Sequence, residues 1–167
     1  MIRDIPDFPE DGIVFKDITP VLADPGALAR VVEGLAAPFR GLDVAKVAGI
    51  EARGFILATP VADVLGAGFV PIRKPGKLPY LTRREEYALE YGTDALEVHI
   101  DAVHDGERVL IVDDVLATGG TAAAASRLLA GLGALVVGVS VFIELGFLAG
   151  REKLDGLRLH SLVTYDD

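Results

Sequence analysis

The sequence predicts an α/β fold in which a central, mostly parallel sheet is flanked by helices. Two observations predict it. Apolar runs of strand length alternate with longer stretches of helical spacing, and one run, Val109–Val112, is apolar at every position. Strands of a parallel sheet are buried on both faces, which explains such an unbroken run. With 167 residues, 51% of them hydrophobic, the chain is long enough to bury a core of this kind.

The predicted elements follow in order along the chain. Asp24 is a suitable helix N-cap and Pro25 suits the first helical position, so the first helix begins there. Further helices are predicted over 54–65 and 120–132, with Gly133 as a stop signal for the last. The strands are predicted at Val44–Ile50, Gly68–Ile72, Val109–Val112 and Leu135–Ile143.

Two segments depart from this alternation. Residues 1–20 are rich in proline and aspartate, which predicts an ordered but irregular arm. Residues 74–92 are polar and charged, and they are too many for an ordinary connection in a compact domain. We therefore expect a lid or a binding loop there.

Composition excludes several classes of protein. The chain has 25 acidic and 16 basic residues, and its net charge of −9 argues against nonspecific binding to nucleic acid. It has no cysteine, which excludes a thiol nucleophile and a cysteine-ligated zinc site. No apolar stretch approaches the ~20 residues of a membrane span. We expect a soluble, cytoplasmic protein with neither a nucleic-acid nor a membrane partner.

The most informative string is VLIVDDVLATGGT at 109–121, where a buried strand leads into a loop of small residues that opens a helix. Backbone N–H groups in such a loop, together with the helix dipole, form a cradle for phosphate. Thr118 and Thr121 add hydroxyl donors, and Asp113 and Asp114 are placed to accept hydrogen bonds from sugar hydroxyls. Two adjacent acids alone would also suit a helix cap. The string is not a Walker A loop, since no lysine follows the glycine pair.

This string resembles the motif that binds 5-phosphoribosyl 1-pyrophosphate (PRPP) in type I phosphoribosyltransferases. Further segments, spread over essentially the whole chain, resemble those of one family, the adenine phosphoribosyltransferases. The sequence is identified as a member of that family. The segments are FPEDGIVFKDITPVL at 8–22, EARGF at 51–55, PIRKPGKLP at 71–79, LEYGTDALEVH at 89–99 and ELGFLAGREKL at 144–154.

The resemblance implies the type I phosphoribosyltransferase fold as a single domain over 1–167. It implies a small hood built from 1–20 and C-terminal residues, and a flexible loop at about 74–92. The implied reaction joins adenine to PRPP and gives AMP and pyrophosphate in purine salvage. The implied cofactor is Mg²⁺, bound through the pyrophosphate of the substrate and not by a firm protein ligand. Members are commonly homodimers, and we expect one here.

The resemblance also implies where PRPP is bound and how it reacts. Glu90 is the expected acid/base residue, Arg53 is the second catalytic residue, and Tyr91 is expected to help close the site. A cis bond between non-proline residues is implied in the loop over 51–53. The implied PRPP-binding residues are Ala52, Arg53, Arg73, Lys74, Lys77, Asp113, Asp114, Ala117, Thr118, Gly119, Gly120 and Thr121.

For the base, the resemblance implies an apolar pocket between the N-terminal arm and the end of the chain. Phe15 would stack on the adenine ring, with Leu145 on the other side. Backbone groups of Val14 and Lys16 would read the exocyclic amine and the ring nitrogens.

Two alternatives stay open at this point. One is a phosphoribosyltransferase for another base such as guanine, hypoxanthine or xanthine, which a comparison of acceptors separates from an adenine enzyme. The other is a non-catalytic regulator that senses PRPP. A regulator of that kind would need an added DNA-binding domain, and it would form no AMP.

Overall fold

The computed structural model describes residues 1–88, 92–154 and 156–167. In this part of the chain, helices and strands alternate as the sequence predicts. The strands are β1 (Arg3–Pro6), β2 (Val14–Asp17), β3 (Lys46–Ile50), β4 (Gly68–Ile72), β5 (Thr82–Ala88), β6 (Thr93–His99), β7 (Arg108–Leu116), β8 (Leu135–Leu145) and β9 (Leu159–Tyr165). The helices are α1 (Thr19–Ala23), α2 (Pro25–Ala36), α3 (Arg53–Leu65) and α4 (Gly120–Ala130), with short 3₁₀ turns at Ala37–Phe39, Gly146–Leu148 and Gly150–Leu154.

The central sheet is parallel and has the strand order β4-β3-β7-β8-β9 among the described residues. Strand β7 lies in the middle, and its residues 109–112 are fully buried. Successive side chains of a strand point to opposite faces. Val109 and Ile111 accordingly enter the core on one face, while Leu110 and Val112 enter the core on the other. The predicted α/β class with a mostly parallel sheet is confirmed, and the apolar run has the predicted cause.

Helices cover both faces of this sheet. Helix α4 and the β5–β6 hairpin contribute to one core, and α2 and α3 contribute to the other. Asp24 caps α2 as predicted, because its carboxylate accepts a hydrogen bond of 2.6 Å from the N–H of Ala27. Helix α4 ends at Ala130, two residues earlier than predicted, and Gly133 follows in the left-handed region with φ 92°.

The prediction of an irregular N-terminal arm is wrong for two short stretches. Strands β1 and β2 pair antiparallel, with Arg3 opposite Asp17 and Pro6 opposite Val14. Strand β9, at the far edge of the sheet, is not predicted either. These strands are short or partly exposed, so they lack the long apolar run by which the inner strands are recognised.

The segment at 74–92 is also not a loop throughout. Residues 82–88 form β5, which pairs antiparallel with β6. Charged side chains hide this strand in the sequence, and two of them are held by α4. Arg127 donates to Glu85 at 2.7 Å, and Arg83 donates to the carbonyl of Gly131 at 2.8 Å. The hairpin thus accounts for much of the length that predicts a lid, and the flexibility of the segment stays a prediction.

Within the described ranges, each helix is too short or too polar to cross a bilayer.

Gly49 in β3 provides a test of this packing. A Cβ atom there would lie 2.7 Å from the Cβ of Ala58 and 2.9 Å from Cε2 of Phe69. We expect Gly49→Ala to lower the free energy of unfolding by about 1–3 kcal/mol through overpacking, measured by urea denaturation. Gly26→Ala in α2 is the matched control, since its nearest neighbours would lie 3.5 Å away. The control should be neutral or stabilising by about 0.4–1 kcal/mol, and equal stability of the two variants would contradict the packing.

Candidate active site

A cavity of about 360 Å³ lies at the carboxyl ends of β3 and β7. Parallel neighbours end at the same edge of a sheet, so the residues that follow them meet there. Predicted site residues from both strand ends line the cavity together, although they are far apart in sequence. They are Ala52, Arg53, Lys74, Asp113, Asp114, Ala117, Thr118, Gly119 and Thr121.

The loop at 117–119, predicted to be an anion cradle, leads into α4. Gly119 precedes the helix with φ 77°, a left-handed conformation that glycine adopts readily. The first N–H groups of a helix have no partner within it, and the positive end of the helix dipole lies beside them. Together with the hydroxyls of Thr118 and Thr121, these groups suit a phosphate.

A distant part of the chain braces this loop. A Cβ atom on Gly150 would lie 2.8 Å from the backbone nitrogen of Gly119, and a Cβ atom on Gly119 would lie 2.9 Å from the carbonyl carbon of Gly150. The two backbones therefore touch with no room for a side chain on either. The loop shape consequently depends on the 3₁₀ turn that begins at Gly150.

Asp113 and Asp114 lie within β7, which extends to Leu116, beyond the predicted strand end. Asp114 is buried and forms an ion pair with Arg53. Burial of its carboxyl group raises the pKa of Asp113 well above its usual range, and the adjacent charge of Asp114 raises it further. This limits the negative charge that the acid pair presents to an anion in the cavity.

Glycine also lets α3 begin close to this pair. A Cβ atom on Gly54 would lie 2.7 Å from Oδ1 of Asp113. The peptide bond between Glu51 and Ala52 is cis, as the resemblance implies for this loop.

The predicted cationic cluster is divided between two carboxylates. Arg73 and Lys77 both form ion pairs with Glu51, each at 3.0 Å. Among the described residues, three of the predicted PRPP-binding residues do not line the cavity: Arg73, Lys77 and Gly120. Burial alone would raise the pKa of Glu51. Hydrogen bonds from the Lys74 N–H and from the side chains of Lys77 and Arg73 outweigh burial and hold that pKa below its usual range.

Lys74 does line the cavity, and its ammonium group pairs with Asp94 and lies 3.0 Å from the Tyr87 hydroxyl. Burial alone would lower the pKa of Lys74, but its hydrogen bonds with Asp94 and Tyr87 raise it above the usual range. Lys74 therefore stays positively charged at neutral pH.

The residues predicted for a base lie beside the cavity. The ring of Phe15 faces the Arg53 guanidinium, whose carbon is 5.2 Å from the ring centre. The ammonium group of Lys16 lies 4.1 Å from the ring centre of Tyr165, the register partner of Leu145. Val14 is half exposed. In the described part of the chain, none of the four predicted base-site residues lines the 360 Å³ cavity itself.

Two predicted residues, Glu90 and Tyr91, lie outside the described residues. Sequence reasoning missed three partners of the predicted cations: Glu51, Tyr87 and Asp94. Glu51 is the first residue of the EARGF segment, so the sequence did offer a signal by which it could have been included in the site. Tyr87 and Asp94 face each other across β5 and β6, a relation that appears only once the hairpin is recognised.

Within residues 1–88, 92–154 and 156–167, no group of three or more His, Cys, Asp or Glu side chains is arranged to hold a metal ion. The cavity is lined by the loop before α4, by the carboxylates of Glu51, Asp113 and Asp114, and by two paired cations, Arg53 and Lys74.

Comparisons with known proteins agree on one family. A family model described as the phosphoribosyl transferase domain matches residues 22–156. An adenine phosphoribosyltransferase of Parafrankia sp. is 63% identical over 162 residues, which is 97% of this chain and 88% of the relative.

Solved structures give the same result. The crystal structure of adenine phosphoribosyltransferase from Rhodothermus marinus superposes with a TM-score of 0.94 at 55% identity, covering 98% of this chain and 94% of that one. The Saccharomyces cerevisiae enzyme, complexed with an imino-altritol bisphosphate and adenine, superposes with a TM-score of 0.91 at 38% identity, covering 96% and 93%.

The contact between Gly119 and Gly150 can be tested with Gly150→Ala. We expect the added methyl group to displace the loop and to weaken binding of ribose 5-phosphate about tenfold, equivalent to about 1.4 kcal/mol, measured by calorimetry. Gly34→Ala is the matched control. Its Cβ atom would lie 2.8 Å from Cδ2 of Leu162, away from the cavity. The control should lose stability and keep its affinity, and equal affinities in the two variants would contradict the bracing role.

Proposed function

The chain belongs to the family of the adenine phosphoribosyltransferases, and from this membership we propose that its cavity forms AMP and pyrophosphate from adenine and PRPP. One observation carries the proposal: a phosphate cradle, the adjacent acids Asp113 and Asp114 and two cations line a single cavity beside Phe15. These are the groups needed to hold a sugar that bears phosphate at both ends. The roles of the individual residues below are part of the proposal.

The cradle binds the 5′-phosphate of PRPP. Its donors are the backbone N–H groups around Ala117, Gly119 and Gly120 and the hydroxyls of Thr118 and Thr121, and Thr121 gives up its 3.4 Å contact with Tyr87 when it donates to the phosphate. The Asp114 carboxylate, oriented by Arg53, accepts a hydrogen bond from a ribose hydroxyl. Asp113, whose pKa is raised by burial, takes part in the same contact without adding full negative charge.

The diphosphate lies toward the carboxyl end of β3. As C1 of the ribose loses pyrophosphate, it passes through an oxocarbenium-like state, and cations stabilise the leaving group. Lys74, Arg53 and the backbone N–H groups at Ala52 and Arg53 are the nearest donors. Arg73 and Lys77 each lie 3.0 Å from Glu51, so their contact with the diphosphate requires that they share or exchange that partner.

Adenine lies against Phe15, with Leu145 on the opposite side and the backbone of Val14 and Lys16 at its polar edge. The packing of Phe15 on Arg53 supports this arrangement, since it sets an aromatic ring next to the cavity. The base and the ribose C1 are then held by adjoining groups.

Glu90 exchanges the proton of the purine ring nitrogen as the new bond forms, and Tyr91 helps close the site. Both roles follow from the family motif at 89–99. A carboxylate near the base is suited to this transfer, and closure excludes the water that would hydrolyse PRPP.

Mg²⁺ fits this site as an ion carried by the substrate. It prefers phosphate oxygens with one or two carboxylates, and the acids of the cavity are already engaged, Asp114 by Arg53. When bound, the ion neutralises charge on the diphosphate.

A homodimer and a cytoplasmic location complete the proposal and follow from family membership and from the charged phosphate substrate.

The choice of base tests the function. With PRPP and Mg²⁺, we expect adenine to give AMP, and guanine, hypoxanthine and xanthine to react at least about a hundredfold more slowly, followed by chromatography of the nucleotide products. A hydrogen-bond pattern built for one base rejects another strongly. If another base reacts faster than adenine, the enzyme has a different acceptor, and if none reacts, the catalytic proposal fails.

The role of Glu90 has its own test. We expect Glu90→Gln to lower turnover by about 10²–10⁴-fold, the usual contribution of general acid–base catalysis, with the dissociation constant of PRPP unchanged. The matched control is Glu86→Gln, which alters an exposed carboxylate in the same hairpin. Unchanged turnover in Glu90→Gln, or an equal loss in the control, would remove the assigned role.

A further inference from the structure

The hydroxyl group of Tyr87 contacts side chains from three other parts of the chain. The Lys74 ammonium donates to it at 3.0 Å, and the Thr121 hydroxyl lies 3.4 Å away as a second donor. The Tyr87 hydroxyl itself donates to Asp94 at 3.2 Å. Lys74 and Thr121 both line the candidate cavity, so this hydroxyl joins two sides of the site.

These contacts use the full capacity of the group. A phenolic hydroxyl has one proton to donate and two lone pairs that accept. Tyr87 is only 6% exposed, which leaves little access for water to replace a lost partner. Loss of the hydroxyl would therefore remove one of the two acceptors, Tyr87 and Asp94, that fix the position of the Lys74 ammonium.

The ring of Tyr87 serves a separate purpose. A Cβ atom on Gly120 would lie 3.4 Å from Cδ2 of this ring, so the ring packs against the first residue of α4. Removing only the hydroxyl would keep that packing. The two functions of the side chain can thus be separated by experiment.

Asp94 acts on Lys74 differently, because it supplies charge. Its carboxylate pairs with the Lys74 ammonium and also accepts the N–H of Ala95 at 2.8 Å. In the protein without substrate, Asp94 therefore neutralises a cation that lines the cavity. A diphosphate that approaches Lys74 must compete with this carboxylate and is repelled by it.

We propose that Tyr87 is a positioning residue that holds Lys74 toward the diphosphate of the substrate, and that Asp94 is the counter-ion the diphosphate displaces. This inference rests on the proposed function, in which Lys74 contacts the diphosphate of PRPP. Tyr87 and Asp94 then have opposite effects on the affinity for the substrate. Tyr87 strengthens substrate binding by fixing the ammonium group, whereas Asp94 weakens it by occupying the same group.

The two residues are also register partners across β5 and β6. Displacement of the Asp94 side chain would therefore break its hydrogen bond with Tyr87, which joins opposite positions of the two strands.

The test compares Tyr87→Phe and Asp94→Asn by calorimetric titration with magnesium pyrophosphate and with PRPP. We expect Tyr87→Phe to weaken both affinities about 3- to 10-fold, the usual effect of one hydrogen bond. We expect Asp94→Asn to strengthen them to a similar degree, with a larger gain at low ionic strength. Damage to the hairpin alone would weaken binding in both variants, and that result would overturn the role of Asp94. Unchanged affinity in Tyr87→Phe would overturn the role of Tyr87.

The Lys74→Met variant shows whether Tyr87 affects substrate affinity through Lys74. In Lys74→Met, adding Tyr87→Phe should cause no further loss of affinity, because the group that it positions is gone. Full additivity would contradict the inference. Tyr80→Phe is the matched control, since Tyr80 is exposed and should leave both affinities unchanged. The KM for adenine should stay constant in all single variants.

Measurements on the wild-type protein distinguish failure of the proposed function from failure of this inference alone. If it binds neither pyrophosphate nor PRPP and forms no AMP, the proposed function fails and this inference fails with it. If it is active while the two substitutions shift affinity in the same direction, only the inference fails.

Discussion

The ion pair between Arg53 and Asp114 is the interaction on which the rest of the site depends. It joins the first residue of α3 to the central strand β7, two elements that are remote in sequence. The same guanidinium packs on Phe15, so this side chain also links the N-terminal arm to the central sheet. An ion pair with a partly buried carboxylate is stabilising only when its geometry is maintained, and here α3, β7 and the arm together maintain it.

The other cations at or near the site are also paired with carboxylates. Lys74 pairs with Asp94, while Arg73 and Lys77 pair with Glu51. In a chain with a net charge of −9, these cations are thus paired with carboxylates, and under the proposed function an anion would have to replace those partners. Binding of a polyanion is then an exchange of partners, and its free energy is the difference between two sets of ion pairs. Such a site keeps its side chains ordered without substrate at the cost of some affinity.

The inner part of the fold could be predicted from sequence because burial on both faces leaves a simple signal. Residues 109–112 are apolar throughout, and the small residues at 117–121 suit a helix start that faces an anion. Strand β5 could not be predicted in this way. Two of its charges, Arg83 and Glu85, have partners in or directly after α4, the carbonyl of Gly131 and the side chain of Arg127, a tertiary relation that a sequence pattern does not contain. The same holds for Asp94, whose importance depends on the register of the hairpin.

The contact between Gly119 and Gly150 has a consequence for how the protein is made. The strand, loop and helix at 108–130 leave the ribosome before the residues that brace the loop. A nascent chain that ends before Gly150 can therefore form the central strand and begin α4, but it lacks the backbone against which the loop is shaped. The loop that leads into α4 is in this sense shaped by residues that are synthesised after it.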